Sequence, residues 1–148
     1  MKKIVIKNWL LEVDVEKTAE YYCNEIEICD CSYCRNFAST VLSLEDRQTS
    51  FFMKLGIMPE KPVMLSHFPT EADNNHQYIG FYHVVGRILT GETCTSSNWQ
   101  DHHTYTLDKL AFCLSKENNQ VPESFSEPVF QLNFETEIPW ILEEGSDD

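Results

Sequence analysis

The stretch Phe130-Gln131-Leu132-Asn133-Phe134-Glu135-Thr136-Glu137-Ile138 decides the fold class. Phe130, Leu132, Phe134 and Ile138 alternate with Gln131, Asn133, Glu135 and Glu137. Successive side chains of a strand point to opposite faces, so a period of two predicts a strand with one buried and one wet face. A half-solvated strand of this kind belongs to an antiparallel sheet. Upstream, Gln77–Leu89 carries apolar residues on both alternating faces: Ile79, Phe81, His83 and Val85 on one, Tyr78, Tyr82 and Val84 on the other. That predicts a covered central strand. Val63–Phe68 predicts another, with Pro59 and Pro62 marking the connection before it and Asp73-Asn74-Asn75 the turn after it. Tyr105–Leu114 fits two periods. Leu107, Leu110, Ala111 and Leu114 suit a helix, whereas Leu110, Phe112 and Leu114 suit a strand. The strand reading is preferred, because Asn118-Asn119 offers a turn back.

The first half of the chain reads differently. Ile4–Val13, rich in β-branched and aromatic residues, predicts one strand. Asp14 is an N-cap candidate for a short helix, with Val15, Ala19, Tyr22, Cys23 and Ile26 recurring on one face. Cys34, Phe37, Ala38 and Val41 share a second helical face. Ser43-Leu44-Glu45-Asp46 is a weak capping box for a third helix. That helix would bury Phe51, Phe52 and Leu55 and stop at Gly56. Helices first and strands after predict an α+β fold, with short N-terminal helices packed on a mostly antiparallel sheet formed largely by the second half. The expectation is a single domain over residues 1–142, followed by an acidic tail at 143–148.

Composition excludes several classes. The chain has 148 residues, 42% of them apolar and 12% aromatic, which is too rich for a disordered chain. No apolar run approaches the ~20 residues of a membrane-spanning helix. The net charge of −13 argues against an ordinary phosphate-backbone binder, so no nucleic-acid or membrane partner is expected. The charge is uneven. Residues 1–60 hold seven basic and ten acidic side chains, and residues 61–148 hold four and fourteen. Such a field steers basic partners inward, and it also serves plain solubility. The opening Met1-Lys2-Lys3-Ile4-Val5-Ile6 starts like a signal peptide, but Lys7, Asn8 and the acids at 12, 14 and 16 interrupt it. A cytoplasmic location is therefore expected, where thiols, a metal site or redox chemistry are favoured over three structural disulfides.

The dense chemical feature is Cys29-Asp30-Cys31-Ser32-Tyr33-Cys34, with Cys23 six positions before it. Three readings compete. In the first, Cys29, Cys31 and Cys34 are thiolate ligands of a structural zinc, and the fourth ligand is Cys23 or His83, with His67, His102 and His103 as further candidates. A second Cys-x-x-Cys knuckle is lacking, however. In the second, Cys31-Ser32-Tyr33-Cys34 leads into a helix as a thiol–disulfide motif. Cys31 attacks, Cys34 resolves, and Ile138-Pro139 stands in for a proline loop. No βαβ pattern surrounds it. In the third, the cysteines are small packing residues where two helices meet.

The string Cys29-Asp30-Cys31-Ser32-Tyr33-Cys34-Arg35-Asn36-Phe37 resembles a motif in a family of small, acidic, uncharacterised bacterial proteins. Phe51–Ile57 and Ile138-Pro139-Trp140 resemble the same family. The resemblance implies a small cytoplasmic bacterial protein and carries no catalytic residue with it.

The remaining constellations carry less chemistry. Asp101-His102-His103 reads as a solvated loop, although an Asp-oriented His base or a metal pair has the same spelling. No G-x-S-x-G elbow, calcium loop or nucleotide-binding glycine loop occurs. A plausible core, strong acidity and the lack of an assembled catalytic set point to a non-enzymatic protein-interaction domain for a basic partner. A zinc-stabilised domain and a Cys-x-x-Cys oxidoreductase are the alternatives.

Overall fold

The computed structural model describes residues 1–24, 31–43, 46–70, 75–95, 99–100, 104–107, 109–116 and 128–142. Seven strands and three helices lie among them, in the order β1(Lys2–Ile6), β2(Trp9–Val13), α1(Val15–Asn24), α2(Ser32–Val41), α3(Asp46–Leu55), β3(Met64–Pro69), β4(Asn75–Thr90), β5(Tyr105–Leu107), β6(Leu110–Ser115) and β7(Val129–Pro139). All strand pairs are antiparallel, in the order β1-β2-β4-β7-β6-β5, and β3 also pairs with β4. This is the expected α+β arrangement, with helices from the first half and most of the sheet from the second.

The expected single strand over Ile4–Val13 is instead a hairpin. Ile6 pairs with Trp9 across the two-residue turn Lys7-Asn8. Lys7 adopts φ 52, which L-residues with a long side chain rarely occupy. The turn lacks the glycine that usually marks such a loop, so the sequence hides it. The span at Tyr105–Leu114 is also two strands, β5 and β6, which settles its period in favour of strand.

β4 is long enough to serve two partners on one edge. β3 pairs with it from His76 to Phe81, and β2 from Gly86 to Thr90. The backbone between them is completed by α1. The Tyr22 hydroxyl donates to the His83 carbonyl at 2.7 Å and accepts from the His83 N–H at 2.8 Å. The Thr18 hydroxyl accepts from the Val85 N–H at 3.0 Å, and the Asp14 N–H donates to the Val85 carbonyl at 2.8 Å. Two side-chain hydroxyls thus take the place of a strand, which satisfies backbone groups that burial would otherwise penalise. The α1 cap forms as expected, with the Lys17 N–H donating to the Asp14 carboxylate at 3.0 Å. The packing face is rotated from the expected one: Thr18, Tyr21 and Tyr22 are buried, and Cys23 is exposed.

The core lies between the helices and one face of the sheet. Phe37 of α2 stacks on Phe134 of β7 at 5.4 Å, and Phe51 and Phe52 of α3 pack on Phe112 of β6. Gly80 lets Phe134 cross β4 closely, since a Cβ there would sit 2.2 Å from the Met64 carbonyl and 2.9 Å from the Phe134 ring. Gly56, at φ 83, ends α3 with a Cβ position 2.5 Å from the Val15 carbonyl, so the helix stop also lets α3 approach α1.

Along β7, the opposite face of the sheet is wet at one end. Glu135 and Glu137 are exposed, whereas Gln131 and Asn133 are buried at 1% and 8% exposure. The expected wet face of β7 therefore holds for half its length. The buried half lies beside a disulfide between Cys94 and Cys113, whose Cα atoms are 6.2 Å apart. The sequence favours thiols, a metal site or redox chemistry for all six cysteines, and at this pair the structure corrects that expectation. Asn133 Nδ2 approaches both sulfurs at 3.7 Å, and the Gln131 amide donates to the Asn133 side-chain oxygen at 2.8 Å. No helix among the described residues is long and apolar enough to cross a membrane.

Candidate functional site

The cysteine loop enters α2. Cys31 is the N-cap residue, in extended conformation, and Cys34 lies one turn along. Both are half-buried thiols. Cys29 lies outside the described residues, as do Asp101, His102 and His103. Cys23 is an exposed thiol on the last turn of α1. His83 is fully buried on β4, opposite Gln131 in register, with its ring 5.4 Å from Phe81 and 6.3 Å from Tyr21. Its neighbours Tyr82 and Val84 face the helices, so alternation turns His83 to the other face. The sheet stands between His83 and α2. Among the described residues no three of His, Cys, Asp and Glu are grouped so as to hold a metal ion.

What α2 does meet is a pair of histidines. His67 of β3 and His76 of β4 occupy diagonal positions of one hairpin face, since His67 pairs with Tyr78 and His76 with Pro69. His67 Nε2 and His76 Nδ1 are 2.6 Å apart. A hydrogen bond of that length needs one ring to donate and the other to accept. Tyr33, between the two cysteines, stacks on His67 at 5.2 Å and 11°. His67 in turn stacks on His76 at 4.8 Å, and Trp140 packs against His76 at 5.1 Å. Of the two histidines the sequence singles out only His67. His76 enters through the register of β3 on β4, which follows the turn signal expected at Asp73-Asn74-Asn75.

The polar partner of this cluster is Asn36, fully buried in α2. Its amide donates to the Tyr78 hydroxyl at 3.3 Å and to the Pro139 carbonyl at 3.2 Å, and its oxygen accepts from the Ile141 N–H at 2.8 Å. The Tyr78 hydroxyl donates to the Tyr33 carbonyl at 2.9 Å. Two stretches that the sequence marked separately, Cys29–Phe37 and Ile138–Trp140, are therefore joined through Asn36. A buried amide with its bonds made is costly to lose, which gives Asn36 a structural purpose.

The second feature is the open Glu135–Glu137 end of the far face of the sheet. Register places Phe68, Gln77 and Glu137 in one row, and Ser66, Ile79, Glu135 and Ala111 in the next. Phe68 is 46% exposed, Ile79 and Ala111 are half-buried, and both glutamates are exposed. The arrangement is an apolar strip across β3, β4 and β6, with a carboxylate from β7 in each row. Chemically it can take an extended or helical segment that is apolar on one side and cationic at two points. No protein-family model, curated protein or solved structure matches the chain.

Proposed function

We propose that this protein is a non-enzymatic interaction module whose open sheet face docks a basic, partly apolar segment of another protein. The observation that carries the reading is the row pattern on that face, where Phe68 and Ile79 supply apolar contact and Glu135 and Glu137 supply the charge. The net charge of −13 gives long-range attraction of the same sign as the local carboxylates. A cytoplasmic setting, and kinship with the small acidic bacterial proteins that carry the Cys29–Phe37 string, belong to the same proposal.

The test uses a defined probe, a synthetic peptide of alternating Lys and Leu, titrated calorimetrically into the full chain. Saturable binding is expected, weakening on going from low salt to ~0.3 M salt. Converting Glu135 and Glu137 together to Lys is expected to weaken binding by roughly tenfold or more, because it replaces two attractions by two repulsions. The control is conversion of the exposed Glu16 and Glu20 of α1. Equal losses from the two pairs would mean unspecific charge attraction and would overturn the docking face.

A second reading has one observation in its favour. Cys31 caps α2 with Cys34 one turn along, the placement a thiol–disulfide exchange motif requires. Here Cys31→Ser would abolish reduction of a model disulfide in an intact fold. If it instead released a bound metal and destabilised the protein, the zinc reading of Cys29, Cys31 and Cys34 would take its place.

A further inference from the structure

The chain is strongly acidic, with 24 carboxylates against 11 Lys and Arg. Yet one cavity of about 400 Å³ collects Lys7, Arg47 and Lys54 at its wall, beside the Ser50 hydroxyl and the rings of Phe51 and Tyr105. No carboxylate is among the described residues that line it. Three of the chain's eleven Lys and Arg therefore line one cavity.

Local structure explains how they meet. Arg47, Ser50, Phe51 and Lys54 stand at i, i+3, i+4 and i+7 of α3, which is one face of a helix. Phe51 is buried and packs on Tyr105 at 5.7 Å, so an aromatic floor lies under two exposed cations. Lys7 arrives from the β1–β2 turn. Its ammonium donates to the Thr104 carbonyl at 2.5 Å, which anchors it while two further N–H donors remain in its inventory. Lys7 is also the one non-glycine residue with positive φ among the described residues, and such strain clusters at ligand sites.

We propose that this cavity binds a small organic phosphate monoester, with the phosphate held by Lys7, Arg47 and Lys54 and the organic group lying on Phe51 and Tyr105. Ammonium and guanidinium donors match a dianionic phosphate through charge-assisted hydrogen bonds. The volume falls within the ~300–1,000 Å³ range of small-molecule sites. The acidity of the whole chain does not oppose this. Screening confines the field of distant charges to about 8 Å at physiological salt, so a small anion in the cavity is spared most of the acidic surface that a long polyanion meets. The site is separate from the sheet face of the proposed function, and either can fail without the other.

The experiment is a titration of the full chain with phenyl phosphate, followed by amide chemical shifts and calorimetry. Phenol and inorganic phosphate are the comparison ligands. Saturable binding is expected, with phenyl phosphate roughly tenfold tighter than inorganic phosphate, and phenol without measurable affinity. Lys54→Gln and Arg47→Gln are each expected to weaken it roughly fivefold to tenfold, while Lys116→Gln, exposed at the far end of β6, leaves it unchanged. Three outcomes overturn the proposal: no saturation, equal effects of Lys54→Gln and Lys116→Gln, or equal affinity for phenyl and inorganic phosphate. The last would leave only a bare anion site.

Discussion

Tyr22 holds its position with one oxygen that both gives and takes a hydrogen bond. Replacing it by Phe keeps the ring and strips the His83 N–H and carbonyl of their partner. An orphaned buried backbone group costs ~1–3 kcal/mol, so Tyr22→Phe is expected to destabilise the fold by about that much in chemical denaturation. An unchanged midpoint would mean that water replaces the hydroxyl. The same phenol sets an alkaline limit. Burial pushes Tyr22 well above its ordinary value, outweighing the opposing hydrogen bond to the His83 backbone, and nearby Tyr21 and Tyr82 push it further. Burial likewise raises Tyr82, with Glu60 adding to it. In both cases the folded state holds its proton longer than the unfolded state. Their contribution is therefore fully present below about pH 10, the unfolded value, and is lost as pH rises through the folded value. Stability should fall above about pH 10 by up to ~1.4 kcal/mol per pH unit for each group. Tyr22→Phe should flatten that slope, and a slope unaltered by the variant would remove Tyr22 from the account.

Among the elements, the β1–β2 hairpin turns on a residue that suits it poorly. A left-handed backbone costs an L-residue ~1–2 kcal/mol, and glycine adopts it freely at some cost in unfolded-chain entropy. Lys7→Gly is therefore expected to raise stability by roughly 0.5–1 kcal/mol while weakening phenyl phosphate binding. A variant that is no more stable would show that the lost Lys7–Thr104 hydrogen bond offsets the relief of the turn. This strained turn is also why the sequence concealed the hairpin. Ile4–Val13 alternates and branches like one strand, and nothing in Lys7-Asn8 announces a reversal. Elements with a strong period were legible: β7 from its alternation, β4 from its two apolar faces, and α3 from Phe51, Phe52, Leu55 and the Gly56 stop. The candidate site was legible only in part. Cys31, Cys34 and His67 were singled out, but His76 needed the β3–β4 register, and the apolar and acidic rows of the far face needed three registers at once. Long-range pairing is a property of the assembled sheet, and period along the chain does not encode which strands are neighbours.

At the scale of the molecule, the two faces of the sheet are stabilised differently. The helix side is an aromatic core. The far side at the Cys113 end is a polar layer in which Gln131 and Asn133 lie beside the Cys94–Cys113 disulfide. The expectation of a thiol-rich chain holds for Cys23, Cys31 and Cys34 but not for this pair. The bridge spans a sequence separation of 19, for which loop-closure entropy gives about 3 kcal/mol. At this chain length that corresponds to a Tm difference of roughly 10 °C. Replacing Cys94 and Cys113 together by Ala should lower Tm by about that amount, and calorimetry of oxidised, reduced and doubly substituted protein measures it directly. The reduced protein and the variant should melt together, because both lack the same cross-link. The bridge also bears on the proposed cytoplasmic setting, since reducing compartments keep most thiols reduced. Cys94 and Cys113 are buried at 2% and 0% exposure, so a small thiol reductant reaches them only when the β6 region opens. Reduction should therefore be slow in native buffer and fast in mild denaturant. Rapid reduction of the native protein would break the link between burial and persistence, and with it the compatibility of this disulfide with a reducing compartment.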